Sequence, residues 1–262
     1  MIRLWMLQCS AAVAAIALGA SLARAEQVPC SGNADALGTA RVLLVDAGTP
    51  PRVGRKQFPQ TLALAPKEVV LTFDDGPWPV TTPRVLDALA HECAHASFFL
   101  LGRNALAHPA LARRIWSEGH TVAHHTFSHP LLVRMAPSAA EAEIEHGFAA
   151  VDQVVYGRAE HAPTTPFFRF PGFASSPALL EWLERRGITV FGADLWADDW
   201  NRISPQQELA LVLGRIESNR GGIVLLHDTK ARTAGMLPAL LQALKVRGYH
   251  IVHVVSSAQG AK

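Results

Sequence analysis

Two adjacent carboxylates end an apolar run in the first third of the chain. The run Val69–Phe73 is typical of a buried strand, and Asp74 and Asp75 follow it before Gly76-Pro77 breaks it. Acids at the end of a core strand cost free energy unless they bind a cation or take part in a reaction. Asp74 and Asp75 are therefore the first candidate site residues.

His125 and His129 lie four residues apart. On a helical turn this spacing puts both rings on one face, where they could hold a metal ion with a carboxylate from another strand and leave one position for water or substrate. Spacing alone is weak evidence in a chain with 12 histidines. Only this pair begins just past the end of a predicted strand. The other pairs with the same spacing are His91/His95 and His120/His124.

The elements that must position these groups alternate along the chain. The predicted strands are Val69–Phe73, Ala96–Leu101, Thr121–Ala123, Phe167–Phe170, Thr189–Gly192, Ile223–Leu226 and His250–Val255. The predicted helices are Thr82–Glu92, Pro109–Glu118, Ser138–Val155, Ser176–Arg186, Pro205–Ser218 and Thr233–Arg247. Such alternation indicates an α/β fold with parallel strands and crossover helices. About seven strand–helix units favour a barrel over an open sheet.

Enzymes built on such barrels carry out their chemistry at the C-terminal ends of the strands. Ionisable residues follow five of the predicted strands, so we expect their side chains to converge at one mouth. These residues are Asp74 and Asp75, His124 and His125, Arg169, then Asp194, Asp198 and Asp199, and finally His227 and Asp228.

The composition bounds the class of protein. The chain has 262 residues with 49% hydrophobic and 18% charged side chains, which suits one large α/β domain or two small ones and argues against disorder. The formal net charge is +2, but two of the basic residues, Arg3 and Arg24, lie in a predicted signal segment. The rest of the chain is balanced in charge, which argues against nucleic-acid binding.

Residues 1–25 are predicted to be a secretory signal peptide. Arg3 provides the positive start, Leu4–Leu22 is mostly apolar, and Ala23-Arg24-Ala25 is an A-x-A cleavage site. The alternative is an uncleaved anchor helix, but the best apolar part, residues 11–20, is too short to span a bilayer. We therefore expect an exported protein, periplasmic or extracellular, with no stable membrane insertion after cleavage at Glu26.

Two cysteines remain once Cys9 leaves with the signal. In an exported chain, Cys30 and Cys93 are predicted to form a disulfide, with two buried thiols as the alternative. Residues 26–66 are interpreted as an N-terminal arm that contains a short strand near Ala40–Asp46. Residues 67–262 are then the main domain.

From Lys67 to Val255 the chain resembles the polysaccharide deacetylase family, whose members contain the NodB-homology domain and form carbohydrate esterase family four. Five motifs occur in the family's order, together with the supporting run Ala96–Gly102. The motifs are Thr72-Phe73-Asp74-Asp75-Gly76, His125-Thr126-Phe127-Ser128-His129, Arg169-Phe170-Pro171, Asp199-Trp200 and Leu225-Leu226-His227-Asp228. The resemblance implies a distorted (β/α) barrel.

The resemblance also implies a role for each matched residue. Asp75, His125 and His129 would bind one divalent metal ion, usually zinc in this family, though cobalt or nickel can serve. Asp74 would be the general base, oriented by Arg169. His227 would be the general acid, held by Asp199. The backbone N–H of Gly172 would help to bind the oxyanion, and Leu225 and Trp200 would shape a pocket for the acetyl methyl group.

The chain departs from the family pattern at three positions. Gly172-Phe173 reverses the usual Tyr-Gly order after the third motif, so the tyrosine side chain is absent while its backbone N–H is kept. Trp196 stands where the fourth motif normally carries an Asp, and no role is transferred to Asp194 or Asp198. His124, which replaces a small or amide residue, is interpreted as a supporting residue.

These observations predict a metal-dependent hydrolase that removes N-acetyl groups from an N-acetylglucosamine-containing glycan and releases acetate. The substrate would be a chitin oligomer, peptidoglycan or a related envelope polysaccharide. Two alternatives stay open: an O-acetyl esterase on xylan-like polymers, and a catalytically inactive family member that binds glycans. The sequence leaves the oligomeric state open.

Overall fold

The computed structural model describes Cys30, residues 32–160 and residues 162–257. The predicted signal peptide and its cleavage site lie outside the described residues. Among the described residues, no helix has both the length and the apolar character that a bilayer crossing requires.

The described residues form ten strands. They are β1 (Thr39–Val45), β2 (Arg52–Val53), β3 (Glu68–Asp74), β4 (Ser97–Leu100), β5 (Thr121–His124), β6 (Phe167–Phe168), β7 (Thr189–Phe191), β8 (Leu195–Trp196), β9 (Gly222–His227) and β10 (His250–Ser256). The named strands pair in parallel throughout.

Seven α-helices connect the strands within the described part of the chain. They are α1 (Thr82–His91), α2 (Gly102–Ala107), α3 (Pro109–Ser117), α4 (Pro137–Tyr156), α5 (Pro177–Arg185), α6 (Pro205–Asn219) and α7 (Ala231–Val246). Proline begins several of them, where its fixed φ and missing N–H cost nothing. Ser204 caps α6 by accepting from the backbone N–H of Gln207, whose side chain accepts in return from Ser204 N–H.

Strand β3 organises the sheet. It pairs with β9 along one edge and with β4 along the other, and β5, β6, β7 and β2 follow β4 in turn. Strand β8 lies beyond β9, while β10 pairs with the start of β3 and carries β1. The register sets Asp74 beside His227 and Leu100 beside His124, so the carboxyl ends of these strands meet at one level.

The sheet curves strongly, as a distorted barrel requires. Arg169 directly follows β6, yet its guanidinium lies 2.6 Å from the carboxylate of Asp74 at the end of β3. In a flat sheet, with β4 and β5 between them, these strands would be about 14 Å apart. Within the described chain no strand ladder joins β2 to β8, the two ends of the curved sheet.

Alternate side chains of the strands divide the core into layers. One layer fills the inside of the curved sheet and includes Val70, Phe99, Ala123, Phe167, Phe191 and Ile223. The neighbouring residues of the same strands, such as Leu71 and Phe98, face outward and pack beneath the helices with Leu86, Ile115 and Leu240. Large apolar side chains thus fill the barrel below the carboxyl ends of the strands, and only the mouth is open to polar chemistry.

The predicted parallel α/β architecture is confirmed. Each predicted strand and helix is present, and its ends lie within two residues of the prediction. Elements α2, β2 and β8 were not predicted, because none of them lies in an apolar run or amphipathic segment long enough to show a period. The predicted N-terminal arm contributes β1 beside β10 and β2 beside β7, so its residues extend the main sheet.

The predicted disulfide is confirmed. Cys30 and Cys93 are bonded, with their Cα atoms 5.7 Å apart and a sequence separation of 63. Closure of a loop of this length stabilises the folded chain by ~4 kcal/mol through the lost entropy of the unfolded state. The bridge ties the segment before β1 to the loop between α1 and β4, at the end of the sheet opposite the mouth.

Candidate active site

Asp74 and Asp75 turn their carboxylates in different directions at the end of β3. Asp74 is the last residue of the strand and is buried inside the barrel. Asp75 has φ of 74°, in the left-handed region that a non-glycine residue seldom adopts. Such backbone strain is common at functional sites, and here it directs the Asp75 carboxylate toward two histidines.

Asp75, His125 and His129 form a compact cluster of metal-ligating groups. Oδ1 of Asp75 lies 3.6 Å from Nε2 of His125 and 3.4 Å from Nε2 of His129. Ligand atoms of the three residues all lie within 4.8 Å of one another. In a tetrahedral zinc site with bonds of about 2.0–2.2 Å, neighbouring ligand atoms are separated by about the two distances measured from Asp75 Oδ1.

The expected helical turn under the two histidines is wrong. Residues 125–129 form an irregular loop after β5, in which Thr126 and His129 have φ of 68° and 66°. The Thr126 hydroxyl accepts a 3.0 Å hydrogen bond from the backbone N–H of His129, which closes the loop locally. This tight turn, rather than helical periodicity, brings the two rings to 5.0 Å between centroids.

The chemistry of the donor set fits a divalent cation. Nδ1 of His125 lies 2.7 Å from the carbonyl oxygen of Arg169, so Nδ1 carries the proton and Nε2 keeps its lone pair toward the cluster. Burial, opposed mainly by the charge of Asp75, lowers the pKa of His125 to about 3, which keeps the ring neutral. Oδ1 of Asp75 is buried and has no hydrogen-bond partner among the described residues, as an oxygen reserved for a cation would be.

Arg169 links the buried aspartate to the histidine cluster. Its side chain is fully enclosed and donates to Asp74 Oδ1 at 2.6 Å, to the Thr72 hydroxyl at 2.9 Å and to the Gly192 carbonyl at 2.9 Å. Its guanidinium carbon lies 4.1 Å from the ring centroid of Phe99. Burial raises the pKa of Asp74, and Arg169 opposes that rise, so Asp74 remains a stronger base than an exposed aspartate.

His227 and Asp199 form the second polar pair at the mouth. The Nδ1–H of His227 donates to Asp199 Oδ1 at 2.7 Å, and the backbone N–H of His227 donates to Oδ2 at 2.7 Å. Burial disfavours protonation of His227, but the hydrogen bond and charge of Asp199 outweigh it and raise the pKa to about 9. Nε2 then carries a proton 3.9 Å from Asp75 Oδ2, beside the metal-ligand cluster.

Glu208 is a functional candidate that sequence reasoning missed. The Thr233 hydroxyl lies 2.8 Å from Glu208 Oε1 and 3.0 Å from Asp199 Oδ2, but it has one proton to donate. Both contacts are hydrogen bonds when Glu208 is protonated and donates to Thr233, which donates to Asp199. Burial raises the pKa of Glu208 to about 7, in agreement with this order. In the sequence Glu208 is an ordinary first-turn acid of a helix, so no local signal marks it.

A cavity of about 390 Å³ opens directly over Asp74, His227 and the metal-ligand cluster. We call it the aromatic cavity, because its walls are mostly aromatic or apolar. They include Phe170, Phe173, Trp196, Trp200 and Leu225. Gly172, with φ of 57°, also lines it, so the three residues expected to contact substrate (Gly172, Trp200 and Leu225) lie together. Phe170 and Phe173 were not expected to line the cavity.

Four of the ionisable residues expected at the mouth point elsewhere. Asp194 accepts from Ile223 N–H at the start of β9, four residues before His227, and so lies at the opposite end of that strand. Asp198 pairs with Arg215 of α6 at 2.8 Å. His124 precedes His125 in the chain and Asp228 follows His227, and consecutive residues of an extended segment face opposite sides. His124 packs on Phe148, 3.6 Å from Asp152, and Asp228 accepts from Thr82.

Asp228 explains why a glycine follows Asp75. A Cβ atom at Gly76 would lie 2.2 Å from Asp228 Oδ2, which no side chain could tolerate. The Thr82 hydroxyl donates to Asp228 and accepts from the backbone N–H of Trp78. This buried contact holds the backbone immediately after Asp75.

Across the described residues, the fold and the site together define a parallel α/β protein with one candidate divalent-cation centre and two polar pairs at its mouth. The family model "Polysaccharide deacetylase" matches residues 62–191. A peptidoglycan-N-acetylglucosamine deacetylase of Bacillus cereus is 32% identical over 199 residues, 74% of this chain and 70% of its own length. A chitooligosaccharide deacetylase of Bradyrhizobium is 32% identical over 71% of this chain and 88% of its own length.

A solved structure shows the same fold. A peptidoglycan deacetylase of Bdellovibrio bacteriovorus superposes with a TM-score of 0.73 and 32% identity. The match covers 85% of this chain and 60% of that one, so the chain spans less than two thirds of that neighbour. The chain belongs to the polysaccharide deacetylase family.

Proposed function

We propose that this chain is a metal-dependent deacetylase that removes N-acetyl groups from an N-acetylglucosamine-containing glycan and releases acetate. The convergence of the Asp75/His125/His129 cluster, the Asp74–Arg169 pair and the His227–Asp199 pair on one cavity carries the proposal. The names of the relatives, which are peptidoglycan and chitooligosaccharide deacetylases, support the substrate class.

Asp75, His125 and His129 would hold the cation. A divalent ion bound there would supply Lewis acidity, which polarises the acetyl carbonyl and lowers the pKa of water toward ~7. Two nitrogen ligands and one oxygen ligand suit zinc, the expected metal, and also cobalt or nickel.

Asp74 would act as the general base. Its Oδ2 lies 3.8 Å from His125 Nε2, so a water molecule beside the cluster is within reach of its carboxylate. Arg169 holds the carboxylate in this direction and balances its charge inside the barrel. The raised pKa of Asp74 favours acceptance of the proton from the attacking water.

Gly172 and His227 would act on the two ends of the breaking amide bond. Gly172 has no side chain to cover its backbone N–H at the wall of the aromatic cavity, and this N–H can donate to the developing oxyanion. An amine is a poor leaving group unless it gains a proton. The Nε2–H of His227, kept charged by Asp199, can supply that proton. Leu225 and Trp200 border the space for the acetyl methyl group.

The His227–Asp199 pair favours amide over ester cleavage. An alkoxide leaves from an ester with less help than an amine needs, so a histidine held protonated is of most use in N-deacetylation. The complete set of metal-ligand, base and acid residues argues against a member that only binds glycan.

We also propose that the protein is exported, to the periplasm or the outside of the cell. The apolar N-terminal segment and the Cys30–Cys93 disulfide support this location, because structural disulfides persist in oxidising compartments. Cell fractionation with N-terminal sequencing of the product tests it. A cytoplasmic product that retains residues 1–25 would contradict the proposal.

Acetate release from acetylated glycans tests the function. The protein is stripped with a chelator, reloaded with zinc, cobalt or nickel, and offered chitin oligomers, peptidoglycan fragments and acetylated xylan. We expect release from the first two, loss on stripping and recovery on reloading. Activity that survives verified removal of the metal would contradict the metal-dependent mechanism. Release from xylan alone would identify an O-acetyl esterase.

A further inference from the structure

A second cavity lies on the other side of the metal-ligand cluster. It encloses about 440 Å³ and shares Asp75, His129 and Lys230 with the aromatic cavity. We call it the cationic cavity. Its own wall includes Trp78, Arg103 and Asn104. The two cavities therefore meet at the cluster, and an extended ligand centred there would enter both.

The charges around the cationic cavity are unbalanced. Arg103 is exposed and Lys230 is half-buried, and neither forms a salt bridge with another described residue. Asp75 is the one acid in the lining, and its carboxylate points to His125 and His129. Asn104 donates to the Asp75 backbone carbonyl at 2.7 Å. The wall thus offers two cations to a ligand and no competing free carboxylate.

Trp78 gives this cavity a surface for a sugar ring. Its side chain is 45% exposed, and its indole meets His108 edge to face at 6.0 Å between centroids. An exposed indole beside two cations suits a ligand with an apolar ring face and an anionic substituent. The aromatic cavity differs, because Phe173, Trp196 and Trp200 dominate its wall and suit a neutral group.

We propose that the cationic cavity is a substrate subsite for a carboxylate on the sugar next to the residue that loses its acetyl group. The inference rests on the proposed function. The preferred substrates would then be anionic glycans in which N-acetylglucosamine alternates with a carboxylate-bearing sugar, as in peptidoglycan. Neutral chitin oligomers would be weaker substrates. Arg103 and Lys230 determine this preference.

The test compares three soluble tetrasaccharides, of which the first two carry N-acetylglucosamine at the same two positions. The first alternates N-acetylglucosamine with N-acetylmuramic acid and has free lactyl carboxylates. The second is the same molecule with those carboxylates converted to methyl esters, and the third is neutral chitotetraose. The measured quantity is kcat/KM for acetate release, expressed as the ratio of the anionic substrate to each neutral one. A fourth substrate with peptide stems distinguishes lactyl from peptide carboxylates.

We expect the wild-type protein to prefer the free acid over its ester. Arg103→Gln should lower that ratio about two- to fivefold, the usual range for one exposed charge pair, and R103Q/K230Q should lower it further. High salt should reduce the wild-type ratio in the same direction. The matched control is Arg55→Gln, which removes an exposed arginine that lines a separate cavity beside Asp194 and should leave the ratio unchanged.

Metal content and thermal unfolding of each variant establish that it is folded and loaded. A ratio of one for the wild-type protein, or a ratio that Arg103→Gln and the double variant leave unchanged, would overturn the subsite. A wild-type protein that releases acetate from none of the substrates would instead contradict the proposed function. A preference only for the peptide-bearing substrate would move the recognised carboxylate from the lactyl group to the stem and overturn the subsite as stated.

Discussion

The protein has two histidine clusters at opposite ends of its curved sheet, and they behave differently. At the mouth, His125, His129 and His227 lie among three carboxylates. At the other end His95 stacks on His253, with ring centroids 5.2 Å apart, and meets the tilted ring of His120 at 5.7 Å. The second group, which we call the base cluster, is a part of the packed core.

The partners of each ring explain the difference. In the base cluster the hydrogen-bond partners are hydroxyls and a backbone N–H: Thr39 with His95, Thr121 with His253, and Ala96 N–H with His120 Nδ1. No carboxylate contributes to the pKa values of these rings, and burial lowers them, to about 3 for His120 and His253. Neighbouring carboxylates, rather than spacing or burial, therefore separate a site for chemistry from packing by the same residue type.

The largest expected effect comes from removal of a mouth histidine. His125→Ala should abolish stoichiometric metal binding and lower acetate release by more than ~100-fold, because loss of a group one step further from a metal already costs about 10–100-fold. Metal analysis and acetate assays measure both. The matched variant in the base cluster, His120→Asn, should keep both metal and activity. Loss of metal in His120→Asn would break the comparison.

The variant Asp74→Asn distinguishes a general base from a metal ligand. The amide keeps the size of the carboxylate but accepts no proton, so we expect metal content near wild type and turnover lower by about 10²–10⁴-fold. The kcat of the zinc-loaded variant is the measurement. If the variant loses its metal while Asp75→Asn retains it, the roles assigned to the two aspartates are exchanged.

His227→Ala should affect amides more than activated esters. A good leaving group needs little proton donation, so we expect a loss of about 10²-fold or more on an N-acetylated glycan and a much smaller loss on an aryl acetate. The ratio of the two kcat/KM losses measures the acid role. Equal losses on both substrates would indicate that His227 has a structural role in the site and does not donate a proton.

Acid stability should depend on the base cluster. An unfolded histidine titrates near ~6.5, whereas burial lowers the pKa of His120 and His253 to about 3 in the fold. Below pH ~6.5 the unfolded chain binds protons that the folded chain does not. The contribution of these two histidines to the free energy of unfolding is therefore fully present above that pH and falls as the pH decreases toward 3, by up to ~1.4 kcal/mol per pH unit for each histidine.

His253→Gln should make the free energy of unfolding less dependent on pH, by the contribution of one histidine. Denaturant unfolding of chelator-stripped wild type and variant between pH 6.5 and 4.5 measures the two slopes, without a contribution from metal release. Identical slopes would mean that His253 takes up a proton in the folded chain as readily as in the unfolded one.

The smallest expected effect tests the hydrogen-bond chain behind the mouth. Glu208→Gln replaces a protonated acid by an amide that can also donate to Thr233, so kcat should stay within about threefold of wild type. Glu208→Leu removes the donor and should shift the pH profile of kcat as well as lower it. A large loss in Glu208→Gln with a normal Glu208→Leu profile would contradict a protonated Glu208.

Local sequence patterns predicted most of the fold and the central residues of the site. Apolar runs of three to six residues and amphipathic segments of nine or more are recognisable in the sequence, so the strands and helices they form were found. Strands β2 and β8, which lie in no such run, were missed. The strand-end rule identified Asp74, Asp75, His125, Arg169, Asp199 and His227, but it also selected Asp194, Asp198, His124 and Asp228.

The sequence by itself determined the element order, the parallel α/β class and the residue types available for metal binding and proton transfer, because these depend on hydrophobic period and side-chain chemistry. Tertiary structure alone decided which way each side chain points. Curvature of the sheet brings Arg169 to Asp74, the tight turn at Thr126 brings His129 to Asp75, and strand alternation turns His124 and Asp228 away. Distances of this kind depend on strand register and backbone angles, which arise when distant segments pack together.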